Sequence, residues 1–303
     1  MRSRVAVILN EKAGSTEGNE QIENVKRAFS DAGLDATFHL FGGNKKLDSV
    51  VREALDSGAE IVAAGGGDGT ISGVVNEIIG TEKILAVIPL GTLNHFSKDL
   101  EIPQEIAEAV AVIANGTIHH VDIGEVNGTY FVNNSSIGLY PRIVRKREQQ
   151  QRIGRGKWWA AAWATWRFFI LSPFVKIKLE LGDNVLHRKT SFVFVGNNQY
   201  EIDLYNIGRR ESLNAGNLSV YLLRRSGRTG LFLLVFHTIL GRLRQMDDFE
   251  EFKTRSLTIE TKRKRILVAI DGEVSVLESP LEYRIHAGKL KVIAPVRTRK
   301  CVR

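Results

Sequence analysis

Ile61-Val-Ala-Ala-Gly-Gly-Gly-Asp-Gly-Thr70 is an apolar run that ends in consecutive glycines, an acid, another glycine and a hydroxyl. The run reads as a buried strand and residues 70–79 as a helix that begins at once after it, so Gly65 to Gly69 form a strand-to-helix turn. Glycine takes φ > 0 without steric penalty and lets a ligand approach the main chain. A helix N-terminus adds unpaired N–H groups and about half a positive charge. Such a turn suits an anion, polyphosphate above all, with Asp68 placed to hold a metal on it.

Working outward, residues 4–9, 36–41, 60–64 and 84–88 read as short apolar strands, and residues 19–32, 47–55 and 70–79 as the helices between them. In the first helix Ile22, Val25, Phe29 and Ala32 recur every three or four residues, with Asn19 as its N-cap and Gly33 as its stop. A second polar turn, Pro89-Leu-Gly-Thr-Leu-Asn-His-Phe96, follows the fourth strand, and a helix starting at Pro103 ends at Asn115-Gly116. Strands alternating with helices predict a parallel sheet covered on both faces. Ligands of such sheets bind at the carboxyl ends of the strands, where Asn10, Gly65 to Thr70 and the second polar turn all lie.

Near residue 122 the rhythm changes. Residues 121–126, 130–134, 175–181, 190–196, 218–223, 256–260, 266–270, 281–286 and 290–293 read as closely spaced strands. Asn127-Gly128, Gly182-Asp183-Asn184 and Ala287-Gly288 supply turns between several of them, which predicts antiparallel hairpins. Helical insertions at residues 140–171 and 229–243 interrupt this half. The expected organisation is an α/β domain over residues 1–122, with a parallel sheet, and a mainly antiparallel β domain over residues 123–303.

The chain has 303 residues, carries 42 Lys+Arg against 34 Asp+Glu for a formal charge of +8, and is 43% hydrophobic. Its size and apolar content suit two ordinary globular cores, and its excess charge suits an anionic partner. One cysteine, Cys301, excludes an internal disulfide framework. The polar start Met1-Arg-Ser-Arg4 lacks a cleavable signal, so a cytoplasmic location is expected. The most apolar windows, residues 158–171 and 231–240, fall short of the roughly 20 apolar residues of a membrane span. The cluster Lys262-Arg-Lys-Arg265 lacks the interleaved aromatics of RNA-binding strands and reads as a solvated hairpin tip, so no nucleic-acid partner is expected.

The glycine turn lacks the GK[ST] ending of a Walker A loop and does not fit GxGxxG. Together with Pro89-Leu-Gly-Thr-Leu-Asn-His-Phe96 and Asp271-Gly-Glu273, however, Gly66-Gly-Asp-Gly-Thr70 resembles the diacylglycerol kinase catalytic-domain family of soluble bacterial lipid kinases, related to sphingosine and ceramide kinases. The blocks match in order and spacing, and the resemblance extends over nearly the whole chain. It implies transfer of the γ-phosphoryl group of ATP to a hydroxyl of a membrane lipid such as diacylglycerol, with Mg²⁺. The first domain would bind the nucleotide and the second the lipid, the second also supplying the DGE block. The resemblance assigns nucleotide contacts to Asn10, Gly66, Gly67, Asp68, Gly69, Thr70, Gly91, Thr92 and Asn94. It assigns catalytic parts to Asp68, Asp271 and Glu273, with Glu273 as general base. Metal support falls to Asp68 and to Asp122, in His119-His-Val-Asp-Ile-Gly124. On residue pattern alone, Asp271-Gly272 also reads as a hairpin turn followed by a surface acid. Adjacent His119 and His120 on a strand point to opposite faces and do not suit one ion.

Three positions depart from the family pattern: His95 stands where an Asp is common, Ala215 where a structural Mg²⁺ would find an Asp, and a Thr is missing around Phe41-Gly42. The segment from Arg152 to Phe169 holds Trp158, Trp159, Trp163 and Trp166 at helical spacing behind Arg142, Arg145, Lys146, Arg147, Arg152, Arg155 and Lys157. That pattern suits either an interfacial helix on an anionic membrane or a helix packed on the β domain. The expected partners are an anionic membrane surface, bound reversibly at the inner face, and a lipid alcohol; homodimerisation stays open. The alternatives are an NAD kinase, which shares a GGDGT signature, and a nucleotide- or lipid-binding module without catalysis.

Overall fold

The structure is a computed structural model and describes residues 4–11, 16–138, 175–181, 184–190, 192–200, 210, 212–223 and 249–296. The Trp-rich segment and the 229–243 insertion lie outside the described residues. The chain divides into two compact units, Met1–Ile123 with Ala287–Arg303, and Gly124–His286.

The first unit runs β1 (Arg4–Asn10), α1 (Thr16–Asp31), β2 (Asp35–Phe41), α2 (Leu47–Asp56), β3 (Ile61–Gly66), α3 (Asp68–Ile78), β4 (Ile84–Pro89), α4 (His95–Asp99) and α5 (Ile106–Asn115). Its strands pair in parallel in the order β2-β1-β3-β4, and β16 (Leu281–Ala294) adds in parallel to β4 through Val292 and Leu85. Val5, Ala6, Val7, Ile8 and Leu9 are all at most 1% exposed, so β1 is buried on both faces. This is why the strand reads as an unbroken apolar run rather than an alternating one. Val5, Val7 and Leu9 pack with Val25 and Phe29 of α1 and Val110 and Ile113 of α5. Val50, Val51 and Ala54 of α2 and Ile71, Val74 and Val75 of α3 are buried too. Gly33, at φ +64, closes α1 as expected, with Leu34 N–H donating back to Phe29 O at 3.1 Å.

β5 (Thr117–Val126) begins in the first unit and ends in the second, which is built on β6 (Thr129–Phe131), β7 (Asn134–Gly138), β8 (Val175–Leu181), β9 (Asn184–Thr190), β10 (Phe192–Asn197), β11 (Leu218–Leu223), β12 (Phe249–Thr254), β13 (Ser256–Thr261), β14 (Arg265–Ile270) and β15 (Glu273–Glu278). Its six-stranded sheet has the order β12-β11-β10-β7-β14-β15, antiparallel throughout. The first half of β16 pairs antiparallel with β13, which continues to β8 and β9. Ile137, Val193, Val195, Val220, Val268 and Ile270 of the six-stranded sheet are buried in one core cluster with Ile177, Leu179, Leu257, Ile259 and Tyr283. Asn127-Gly128 makes the β5–β6 hairpin with φ of +46° and +81°, the turn form that twists with its strands. An α/β unit with a parallel sheet and an antiparallel β unit agree with the fold class expected from sequence.

Several boundaries differ from expectation. The predicted strand 130–134 is two strands, β6 and β7, parted at Val132 and Asn133, and the predicted strand 190–196 divides into β9 and β10. Ala287-Gly288 is not a hairpin turn. Residues 281–294 form one strand, in which Gly288 takes φ +60. Asp122 Oδ1 accepts the Gly288 N–H at 2.8 Å, and His120 Nδ1 lies 3.2 Å from Gly288 O, so the irregularity is held in place and the chain runs on. Residues 287–303, which the sequence puts with the β domain, accordingly fall in the first compact unit because the end of β16 pairs with β4.

Candidate active site

Gly65, Gly66, Gly67, Gly69 and Gly91 all avoid positive φ, so the freedom to enter the left-handed region is not used in these turns. Close approach requires Gly66 and Gly91 instead. A Cβ on Gly66 would stand 2.5 Å from Thr70 Oγ1, and one on Gly91 would stand 2.5 Å from Gly67 Cα and 2.7 Å from Asn94 Oδ1. The first turn therefore folds down on Thr70, and the two polar turns touch backbone to backbone. Leu90 N–H donating to Gly66 O at 3.1 Å holds them together.

Asp68 completes that link. Its carboxylate accepts the backbone N–H groups of His95 at 3.2 Å and Phe96 at 3.1 Å, the first residues of α4. The α4 N-terminus is thus capped by a residue from the other turn, a stabilising use of negative charge. Asn94 adopts the left-handed region at φ +51, which Asn tolerates better than most residues. Its Oδ1 accepts Gly91 N–H at 3.0 Å, and its Nδ2 donates to Gly91 O at 2.9 Å and Gln104 Oε1 at 3.1 Å. Asn94 is therefore the clasp of the second turn, buried at 5% exposure, while Thr92 beside it is exposed.

The helix α3 starts at Asp68, two residues earlier than expected, with Gly67 as its N-cap and no side-chain cap. The N–H groups of Gly69 and Thr70, in the first turn, therefore have no partner within the helix. The two neighbouring helix starts differ: that of α4 is capped by Asp68, and that of α3 has no side-chain cap. Asn10, half-buried, ends β1 next to the start of this turn, since Leu9 pairs with Gly65.

Asp122 has a different place. It is 2% exposed and anchors Gly288 of β16. His119 Nε2 lies 3.0 Å from Thr117 Oγ1 while His120 turns to Gly288, so the adjacent histidines meet different partners. Among the described residues, no three His, Cys, Asp or Glu side chains converge in a metal-binding group.

In the second unit, Asp271 and Gly272 form the β14–β15 hairpin turn with φ of +47° and +89°. Glu273 follows as the first residue of β15, exposed and paired with Ile270. Asp271 is 9% exposed, and its carboxylate accepts the N–H groups of Val132 at 2.8 Å, Asn133 at 2.8 Å and Asn134 at 3.0 Å. Successive N–H groups converging on one anion form a backbone nest. The residues on the other side of this nest, Arg210, Asn197 and Tyr200, were not singled out by sequence; their one legible trace is the paired asparagines at 133–134 and 197–198, a turn signature at strand ends.

A sequence profile described as the diacylglycerol kinase catalytic domain matches residues 4–126. Over those residues the chain is similar to the diacylglycerol kinase catalytic domain family. A diacylglycerol kinase of Bacillus subtilis is 35% identical over 144 residues, which cover 46% of this chain and 48% of that protein. A probable lipid kinase (YegS-like) of Pseudomonas aeruginosa is 33% identical over 145 residues, 47% of each. The chain thus matches about half the length of these curated relatives. In fold it is similar to the crystal structure of a diacylglycerol kinase from Bacillus anthracis, with TM-score 0.72, 24% identity, and coverage of 96% of this chain and 97% of that one. The match ends at Val126, so it takes in both polar turns and Asp122, while Asp271 and Glu273 lie beyond it.

Proposed function

We propose that the chain is an ATP-dependent lipid kinase that phosphorylates the hydroxyl of a membrane lipid of the diacylglycerol kind. The observation that carries this reading is the uncapped start of α3, walled by Gly67 and Gly91 and carrying Asp68 in its first turn. The N–H groups of Gly69 and Thr70 would take phosphate oxygens, with Asn10, Gly66, Thr92 and Asn94 bordering the nucleotide. The names of the curated relatives support a lipid alcohol as acceptor.

A carboxylate at that helix start would repel a triphosphate, which makes a divalent cation fit the site. Mg²⁺ binds through one or two carboxylates together with phosphate oxygens and water, so Asp68 suffices as its protein ligand. When bound, Mg²⁺ would neutralise charge on the phosphates. Asp122, buried on Gly288, would act by fixing β16.

Glu273, exposed at the head of β15, is the proposed general base. The lipid hydroxyl proton passes to its carboxylate, the hydroxyl oxygen bonds to the γ-phosphorus, and the bond from that phosphorus to the β–γ bridging oxygen breaks to release ADP. Asp271, its oxygens engaged by three backbone N–H groups, would shape the turn rather than exchange protons. Reversible docking on an anionic membrane from the cytoplasmic side fits the net charge of +8, and no helix among the described residues is long and apolar enough to cross a membrane.

The test is incubation of the full chain with labelled ATP, Mg²⁺ and anionic vesicles containing diacylglycerol. An organic-extractable labelled product, lost in Asp68→Ala and Glu273→Ala, is expected. Label confined to the aqueous phase on addition of NAD would establish an NAD kinase instead, and vesicle and nucleotide binding without turnover across a panel of lipid alcohols would establish a binding module.

A further inference from the structure

Asp271 and Arg210 are both buried, at 9% and 6% exposure, and hold the same stretch of backbone by its two kinds of group. Asp271 takes the N–H groups of residues 132–134, and Asp271 N–H in turn donates to Asn134 O at 2.9 Å. Arg210 takes the other side: its Nη1 donates to Val132 O at 2.5 Å and its Nη2 to Asn133 Oδ1 at 3.3 Å. Asn197 Nδ2 shares Val132 O at 2.9 Å, and Tyr200 OH donates to Asn133 O at 2.8 Å. The peptide groups between a buried carboxylate and a buried guanidinium are polarised in one sense, and each hydrogen bond strengthens the next.

This arrangement fixes a turn that is not intrinsically comfortable. Asp271 sits at φ +47, a region that costs a non-glycine residue about 1 kcal/mol or more and persists where the surroundings over-determine it. Glu273 is two residues away, on the first rung of β15. Whatever sets residues 132–134 therefore sets Asp271, and Asp271 sets the direction in which β15 presents Glu273.

We propose that Arg210 is a positioning residue for Glu273, acting through the peptide groups of residues 132–134 and the Asp271 turn. The proposal rests on the reading of Glu273 as the general base. It assigns no contact between Arg210 and either substrate.

Arg210→Lys, Arg210→Met, Tyr200→Phe and Glu273→Ala are compared in the full chain with ATP, Mg²⁺ and diacylglycerol vesicles. Arg210→Met is expected to lower kcat about ten- to a hundredfold while the KM for ATP stays within about twofold. Arg210→Lys, which keeps the charge and a donor, recovers part of that loss, and Tyr200→Phe costs about threefold. Hydrogen exchange in Arg210→Met rises about tenfold in residues 128–138 and 266–277 and stays at the wild-type rate in residues 61–78. Wild-type kcat in Arg210→Lys and Tyr200→Phe beside an inactive Glu273→Ala overturns the proposal alone. So does an equal loss in the Lys and Met variants matched by a fall in the number of ATP-binding sites, the mark of a merely structural role. Wild-type turnover in Glu273→Ala overturns the base assignment and this proposal with it.

Discussion

Gly91 meets Gly67 so closely that a methyl group on Gly91 would stand 2.5 Å from the Gly67 Cα, whereas one on Gly67 would stand an ordinary 3.4 Å from the Gly91 Cα. The contact is mutual, but the directions of the missing side chains are not.

The asymmetry gives the first prediction. Gly91→Ala must push the two polar turns apart, or displace the Asn94 clasp, and is expected to destabilise by about 2 kcal/mol or more and to weaken nucleotide binding at least tenfold. Gly67→Ala, at φ −86, is expected to cost under about 1 kcal/mol. Thermal unfolding and nucleotide titration of the two variants check the ranking.

Asp68→Asn separates two functions of one carboxylate. It keeps an oxygen for one of the α4 N–H groups and is expected to lose about 1 kcal/mol of stability. It also removes the repulsion of phosphate, about 1 kcal/mol for charges some 4 Å apart in water, so ATP affinity in EDTA is expected to rise about fivefold. The gain that Mg²⁺ gives the wild type should vanish in the same titration.

Asp271→Ala leaves the three N–H groups of the 132–134 nest without their buried acceptor, and a loss of about 3 to 5 kcal/mol is expected. Asp271→Asn retains one oxygen and should lose about 2 kcal/mol. The urea midpoints of the two variants, followed by probes in the second unit, give the order.

The alkaline limit of stability follows from two phenols. Burial pushes Tyr221, aided by the Glu251 carboxylate, up to about 12, and burial raises fully enclosed Tyr283 further above its ordinary range. Because the folded-state values lie above the unfolded one of about 10, the contribution is complete below pH 10 and is lost as pH climbs through the folded values. Tyr283→Phe loses its hydrogen bond with Ser135, about 1 kcal/mol near neutrality. Its stability should then fall less steeply above pH 10, by about 1.4 kcal/mol per pH unit. Melting temperature against pH from 8 to 12 decides this.

What the sequence reveals and conceals divides along physical lines. β1, β3 and β4 are legible because burial on both faces removes polar residues from them. β12 and β15 escape notice because they are the two edges of the six-stranded sheet, where Phe-Glu-Glu-Phe-Lys-Thr254 and Glu-Val-Ser-Val-Leu-Glu278 carry charge rather than a continuous apolar run. The glycine turn is visible as a turn, but the reason for its glycines is a contact with Gly91, 24 positions later than Gly67, and no local rule reaches that far. Asp68 shows itself as an acid in a polar turn, while its role as the cap of α4 depends on a helix only five residues long, too short for periodicity to reveal. Arg210 is one of many arginines in the sequence and becomes distinctive only when buried.

The strand from Leu281 to Ala294 has a consequence for the order in which the protein is made. Residues 287–294 supply the strand segment that pairs with β4 beside residues 4–89, so a ribosome must deliver the whole second unit before the first can close its last strand pair. The unit that emerges first is the one that finishes last, and until then β4 waits with an unpaired edge.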